Sequence, residues 1–405
     1  MKSSKLHFVV AGILLGTGGI ASADDELGFT PFTDSLLYLQ LRPRFEYADV
    51  DGGNDAAKAL TVRTVLGGEF GSVGGIKGLD GNLEATNVSH FGIVDDYRPE
   101  KSDYDVIMDP AQTRITQSHL AYKSGQTTVI FGRKMLGLDN QRYIGHVGWR
   151  QMPQTYDMVA VTDNSIKNLN LTGGYVTRVN RITKDGKLDT NSVILNAAYT
   201  VVPELKVTPY AYLLSSIHDT FGIRATGKTA FSGVKLSYEA EYAIQNKATL
   251  KEESMGNVKP DHEADYYKLG AKANYSDFFV SLNYEVLGEK EGSEGGAFNT
   301  PLATLHAMNG WADKFLKTPA AGLVDTSLTV GYLSKKYGRL IGFFHNFESD
   351  DGGLDYGSEF DLVYAYKLSK KLNLMAKGAF YKEGDDLKNG DTNKYWLMLD
   401  YKFSQ

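Results

Sequence analysis

The chain has no cysteine. That excludes disulfides, thiolate metal sites and a cysteine nucleophile, and no lipoprotein anchor is expected. No segment reads as a transmembrane helix. Charge of one sign is also missing: 43 Lys and Arg stand against 49 Asp and Glu, a formal net charge of −6. An acidic chain of this kind argues against nucleic acid as a partner. The eight histidines show no H-E-x-x-H spacing, and no G-x-S-x-G elbow occurs. Acidic runs at Asp95-Asp96, Glu348–Asp351 and Asp385-Asp386 lack the spacing of a calcium loop and read as solvated. No cofactor, no metal and no enzymatic activity are expected.

What the chain has is alternation. Near its end Tyr395, Leu397, Leu399, Tyr401 and Phe403 share one face, and Trp396, Met398, Asp400 and Lys402 share the other. Val234, Leu236, Tyr238, Tyr242 and Ile244 alternate in the same way with Lys235, Ser237, Glu239, Glu241 and Gln245. Period 2 means β-strands, and a charged second face means that this face meets water. Strands of about ten such residues with aromatics near their ends point to a transmembrane antiparallel up-and-down β-barrel, an all-β fold. The mean hydropathy of −0.29 is too low for a bundle of membrane helices. It suits a barrel, where only alternate residues face lipid.

The N-terminus gives the route. Lys2 and Lys5 form a basic start, Phe8 to Ile20 an apolar core, and Ala21-Ser22-Ala23 a small-residue cleavage site. Residues 1–23 therefore read as a signal peptide and 24–405 as one barrel domain. Losing Lys2 and Lys5 would take the net charge from −6 to −8.

About eighteen alternating segments follow, near 36–49, 57–71, 76–88, 112–123, 127–136, 155–162, 167–181, 190–201, 204–215, 218–226, 230–246, 262–275, 278–289, 323–333, 339–349, 356–368, 372–384 and 391–403. Tight turns at Ser124-Gly125-Gln126, Val202-Pro203, Thr226-Gly227-Lys228, Ser276-Asp277 and Ser369-Lys370-Lys371 take turns with long polar stretches at 89–111, 137–154, 247–261 and 290–322. Short periplasmic turns and longer external loops sort in this way in an outer-membrane barrel. A soluble sandwich or propeller has no reason to do so.

With Leu37, Leu39, Leu41 and Phe45 toward lipid, Gln40, Arg42, Arg44 and Glu46 point inward. The same counting turns Arg63, Arg133 and Arg178 inward, and Lys377, Asp400 and Lys402 in the last strands. Closure would set Asp400 and Lys402 beside Arg42 and Arg44. Two readings follow: opposite charges pairing along the wall, or a basic sector of Arg42, Arg44, Arg63 and Arg133 forming an anion-favouring constriction.

Two stretches leave the alternation. One runs from Gly132-Arg133-Lys134-Met135 through Arg142 to Gly148-Trp149-Arg150-Gln151 and Gln154-Thr155-Tyr156-Asp157. The other runs from Phe298-Asn299-Thr300-Pro301 to Asn309-Gly310-Trp311-Ala312-Asp313 and Thr318-Pro319. With Arg42-Pro43-Arg44-Phe45-Glu46 and Gly357, Glu359 and Asp361, they resemble the signatures of the alginate-export family of outer-membrane proteins. The resemblance implies an eighteen-stranded barrel with a basic constriction, monomeric where large porins are often trimers. It makes Arg133, Arg142 and Arg150 lumen contacts, with Asp157 as counter-charge. Lys134-Met135 and Ala307-Met308 depart from the family pattern. Trp149, Trp311, Leu302, Leu305 and Phe315 are expected to pack an external cap over 297–319, whereas the stretch 137–154 is read equally well as cap or as lumen insert.

The expectation is a porin-like outer-membrane channel in contact with lipid and lipopolysaccharide, passing small hydrophilic or anionic solutes through a charged lumen. Export of an anionic polysaccharide such as alginate is the alternative.

Overall fold

The computed structural model describes residue 32 and residues 34–250, 263–289 and 296–405. The expected leader at 1–23 lies outside the described residues, as do parts of the stretches 247–261 and 290–322.

Eighteen antiparallel strands close into a barrel. They are β1 (Asp34–Val50), β2 (Ala57–Gly71), β3 (Leu79–Ser89), β4 (Gln112–Ser124), β5 (Thr127–Lys134), β6 (Thr155–Asp163), β7 (Leu169–Asn180), β8 (Lys187–Val202) and β9 (Leu205–Leu214) in the first half. The second half comprises β10 (His218–Phe231), β11 (Val234–Asn246), β12 (Glu263–Tyr275), β13 (Phe278–Leu287), β14 (Leu323–Ser334), β15 (Gly338–Glu348), β16 (Asp355–Lys367), β17 (Leu372–Glu383) and β18 (Thr392–Ser404). Each pairs with its neighbour in sequence, and β18 returns to β1 from Tyr38↔Ser404 to Val50↔Thr392. A two-residue strand, Asp95–Asp96, adds to the upper end of β2.

Parity decides what each side chain meets. On β1, Arg42, Arg44 and Glu46 are buried while Phe45 between them is exposed. Leu328, Phe344, Phe360 and Leu397 are likewise exposed on their strands. An isolated barrel exposing this much apolar surface outward is built to sit in hydrocarbon, and its closed ladder leaves no backbone edge unpaired there.

One expected turn is misplaced. The chain does not reverse at Thr226-Gly227-Lys228. Strand β10 continues to Phe231 and turns at Ser232-Gly233, with φ of 48° and 82°. Two consecutive positive φ values make the mirror-image turn that matches strand twist. Gly227 stays in the ladder opposite Tyr238, whose ring occupies the space a Cβ would need. The Tyr238 hydroxyl reaches over to donate to the Glu204 carbonyl at 2.8 Å. The glycine marks a close approach, not a reversal.

Gly227→Val is therefore expected to displace the Tyr238 ring. It should lower the unfolding free energy by about 1–3 kcal/mol, as read from urea unfolding in lipid vesicles. A change confined to Val234 should have a smaller effect.

Candidate functional site

The lumen is not empty. The connections β5–β6 (135–154) and β13–β14 (from residue 296 as described) both fold inward. This corrects the expected external cap: Trp149, Leu302 and Phe315 lie inside the barrel, and Leu302 and Phe315 join its buried core. The physical reason is polar as much as apolar. A loop inside a barrel needs partners for its carbonyls and amides, and the strands supply them.

Strand β1 does this for the first loop. The Arg42 guanidinium donates to Gln151 Oε1 (2.9 Å), Gly148 O (3.0 Å) and Arg150 O (2.6 Å). Arg44 donates to Trp149 O at 2.7 Å, pairs with Asp109 and lies 3.3 Å from Glu46. Gln151 in turn donates to Thr61 Oγ1 at 2.9 Å and receives its own support from Asp109, which accepts the Gln151 N–H at 2.6 Å. Arg42 and Arg44 point into the lumen, and most of their donors are spent on holding a loop. Charge-assisted bonds of this kind contribute about 1.5–3 kcal/mol each. Ring packing adds to the hold: Tyr143 of the loop sits 5.1 Å from Tyr210 and 5.7 Å from Tyr212.

The second loop docks on β13, β14 and β16. Ala312 N–H donates to Glu359 at 2.7 Å and Trp311 N–H to Asp361 at 3.3 Å. Gly310, at φ 78°, lies where a Cβ would strike the Glu359 carboxylate. Asn309 donates to Glu285 (2.8 Å) and Asp325 (3.0 Å), and Arg142 of the first loop meets Glu285 at 3.2 Å and Asn309 at 3.1 Å. Arg150 joins both loops to the wall, pairing with Glu46 at 3.0 Å and Asp313 at 2.9 Å. Arg142 and Arg150 therefore lie buried in the lumen interior.

All three tryptophans of the chain meet at one lysine. Lys377 Nζ stands 3.5 Å from the ring centre of Trp311, 4.1 Å from Trp149 and 5.0 Å from Trp396, and donates to His306 Nε2 at 2.7 Å. His306 stacks on Trp149 at 5.0 Å and bonds Asp313 at 2.7 Å. Sequence reading placed Lys377 inward but gave no signal for this cage, whose members come from two loops and two strands.

Above the loops lies a cavity of about 830 Å³, lined among the described residues by Arg98, Arg150, Arg181, Lys314 and Lys394 and by two acids, Asp105 and Asp313. Both acids are committed. Asp105 accepts the backbone N–H of Val50 and Asn54 at 2.9 and 3.1 Å, and Asp313 is shared among Arg150, His306 and Lys394. Among the described residues neither Arg98 nor Arg181 makes an ion pair. Below the loops one lumen cavity holds Lys206, Lys228 and Lys272 beside Glu239, and another holds Asp34, Glu69 and Asp80 with His119 and Lys134.

Other expected residues fall elsewhere. Arg63 is buried on the lumen side. Asp400 accepts from Gln40 at 2.6 Å, while Lys402 sits opposite Gln40 at the periplasmic rim, away from Arg44. Arg133 and Asp157 are corrections. They share the outward parity of Phe131 and Val159, both exposed, and pair with each other at 2.6 Å. Arg178 is also outward, paired with Asp189 at 2.5 Å. Counting every charge inward fails here because these groups neutralise one another across strands. At ~3.3 Å per residue and a tilt of ~40°, Arg133 lies about 18 Å above the Gly125-Gln126 turn, within a ~25 Å apolar band.

No protein-family model matches the sequence, and neither does any curated protein. Solved structures do share the fold. OccK8 (OprE) of Pseudomonas aeruginosa superposes with a TM-score of 0.72 at 14% identity, covering 92% of this chain and 99% of that one. OccAB2 of Acinetobacter baumannii gives 0.71 at 16%, covering 92% and 99%. OpdK of Pseudomonas aeruginosa, crystallised with vanillate, gives 0.71 at 14%, covering 93% and 100%. These neighbours are outer-membrane porins. They share the barrel fold of this chain and give no support to the alginate-export resemblance.

Arg150→Ala would take one cation each from Glu46, which keeps Arg44 at 3.3 Å, and from Asp313, which keeps His306 and Lys394. A loss of about 1.5–3 kcal/mol is expected, measured by urea unfolding, together with faster protease cleavage within 135–154.

Proposed function

We propose that the protein is a channel of the bacterial outer membrane for small hydrophilic solutes, with a preference for anions. The observation that carries this reading is the external cavity, whose cations outnumber its acids and whose acids are already engaged. A mouth of one sign raises the local concentration of opposite charge and speeds its capture. Vanillate, bound to one of the porins that share this fold, is an aromatic carboxylate, a solute class this mouth would suit.

Passage would lead past the edges of the two inserted loops and then along the lysines of β9, β10 and β12, with the acids of β1–β3 on the far wall. Charged rings of this kind set ion preference without a moving catalytic part. The two inserted loops argue against a path as wide as a polysaccharide exporter needs. Outer-membrane lipid and lipopolysaccharide are the surroundings this reading requires, and no cofactor enters it.

The refolded protein should conduct in planar bilayers, with a reversal potential displaced toward anions. Absence of current from a folded barrel would overturn the channel. Arg98→Glu combined with Arg181→Glu should move the reversal potential toward cations at unchanged barrel stability. An unchanged potential would remove the vestibule from the selectivity argument.

A further inference from the structure

The outer surface of the barrel is not uniform. On β14 to β17 the lipid face carries Leu328, Phe344, Phe360 and Phe380, all exposed. On β5 and β6 the apolar positions end after Val129 and Phe131 and after Val161 and Val159. Beyond them runs a row in register across four strands, Arg133↔Asp157↔Arg178↔Asp189. Arg178 and Asp189 are 40% and 46% exposed and Arg133 and Asp157 24% and 22%, so the chain leaves the Arg178–Asp189 half of the row the more open. Its flank on β3 and β4 is mixed, with Asn87 bonded to Thr113 at 2.7 Å, Ser118 exposed, and Ile115 exposed between Thr113 and Ser118. Strands β5 and β6 are also the shortest of the barrel wall, at 8 and 9 residues. Hydrocarbon is a poor solvent for such a row.

We propose that a second copy of the chain covers this face, related by a two-fold axis along the membrane normal. Charge complementarity identifies the occupant. An isologous contact brings a surface patch against itself in reversed order. The signs in the row alternate, so reversal sets Asp157 against Arg178 and turns Arg133 toward Asp189, and no like charges meet. The row slopes with the strand tilt, so two copies cross at its centre, where Asp157 and Arg178 stand. Two convex walls touch along that same line, where Val159 and Tyr175 stand exposed just below the row. A three-fold arrangement would set the row against a different face and lose this match.

The lack of cysteine makes the test direct. Thr177→Cys puts one thiol beside the row, and Leu362→Cys puts one on the exposed apolar face of β16. Each variant is expressed in the outer membrane and treated with a short bis-maleimide, and heat-modifiable migration confirms folding. Thr177→Cys is expected to give at least tenfold more covalent dimer than Leu362→Cys. Adding Arg178→Glu to a folded Thr177→Cys protein should reduce that yield at least tenfold. Equal yields at the two positions, or a dimer yield indifferent to Arg178→Glu, would overturn the proposal.

Discussion

Closure of β18 onto β1, from Tyr38↔Ser404 to Val50↔Thr392, is the constraint on which the remaining architecture depends. With the ladder closed, no backbone edge faces hydrocarbon, and the outer surface can be apolar without inviting another strand. The same closure creates an interior that must be wet or filled. In this chain it is partly filled, by two connections that would otherwise stand in the external medium. The strand arginines follow from that. A loop drawn into the barrel loses water from its carbonyls, and Arg42 and Arg44 replace it.

Interior charge consequently divides into two kinds. Most of it is structural: Arg142 with Glu285, Arg150 with Glu46 and Asp313, and Arg44 with Asp109. Removal of any one partner exposes the cost of burying the other. The charge left without an ion pair among the described residues includes Arg63 on the wall beside Arg42, with Arg98 and Arg181 at the upper end of the lumen and Lys206, Lys228 and Lys272 at the lower. Between the ends stands Lys377 in its tryptophan cage. Cation–π contacts contribute from about 0.5 to 2 kcal/mol each as water is excluded, so this lysine ties two loops to the wall through ring faces instead of counter-ions.

The strands were legible in the sequence because lipid on one side and a polar interior on the other impose period 2 on residues such as Leu37, Arg42, Arg44 and Phe45. The alternation of short turns and long loops was legible for the same reason. The inward folding of the loops was not. Their anchors join residues more than a hundred positions apart, Arg42 to Gln151 for instance, and no local pattern records such a bond. Arg133 was placed inward by counting along its strand and Asp157 by the resemblance, whereas both share the outward face, each neutralised by the adjacent strand. Gly227 was misread because a glycine that yields space to Tyr238 looks, in a string of letters, like one that bends the chain.

The two inserted segments also bond to each other. Gly145 N–H donates to Leu302 O at 2.9 Å, Thr304 N–H to Gln141 O at 3.1 Å, and Thr304 Oγ1 to Gln141 Oε1 at 2.7 Å. Neither segment therefore has an independent evolutionary future. A lineage that remodels one to admit a new solute must revise its companion in the same episode, and a graft of either one alone into a foreign barrel would arrive without half of its scaffold.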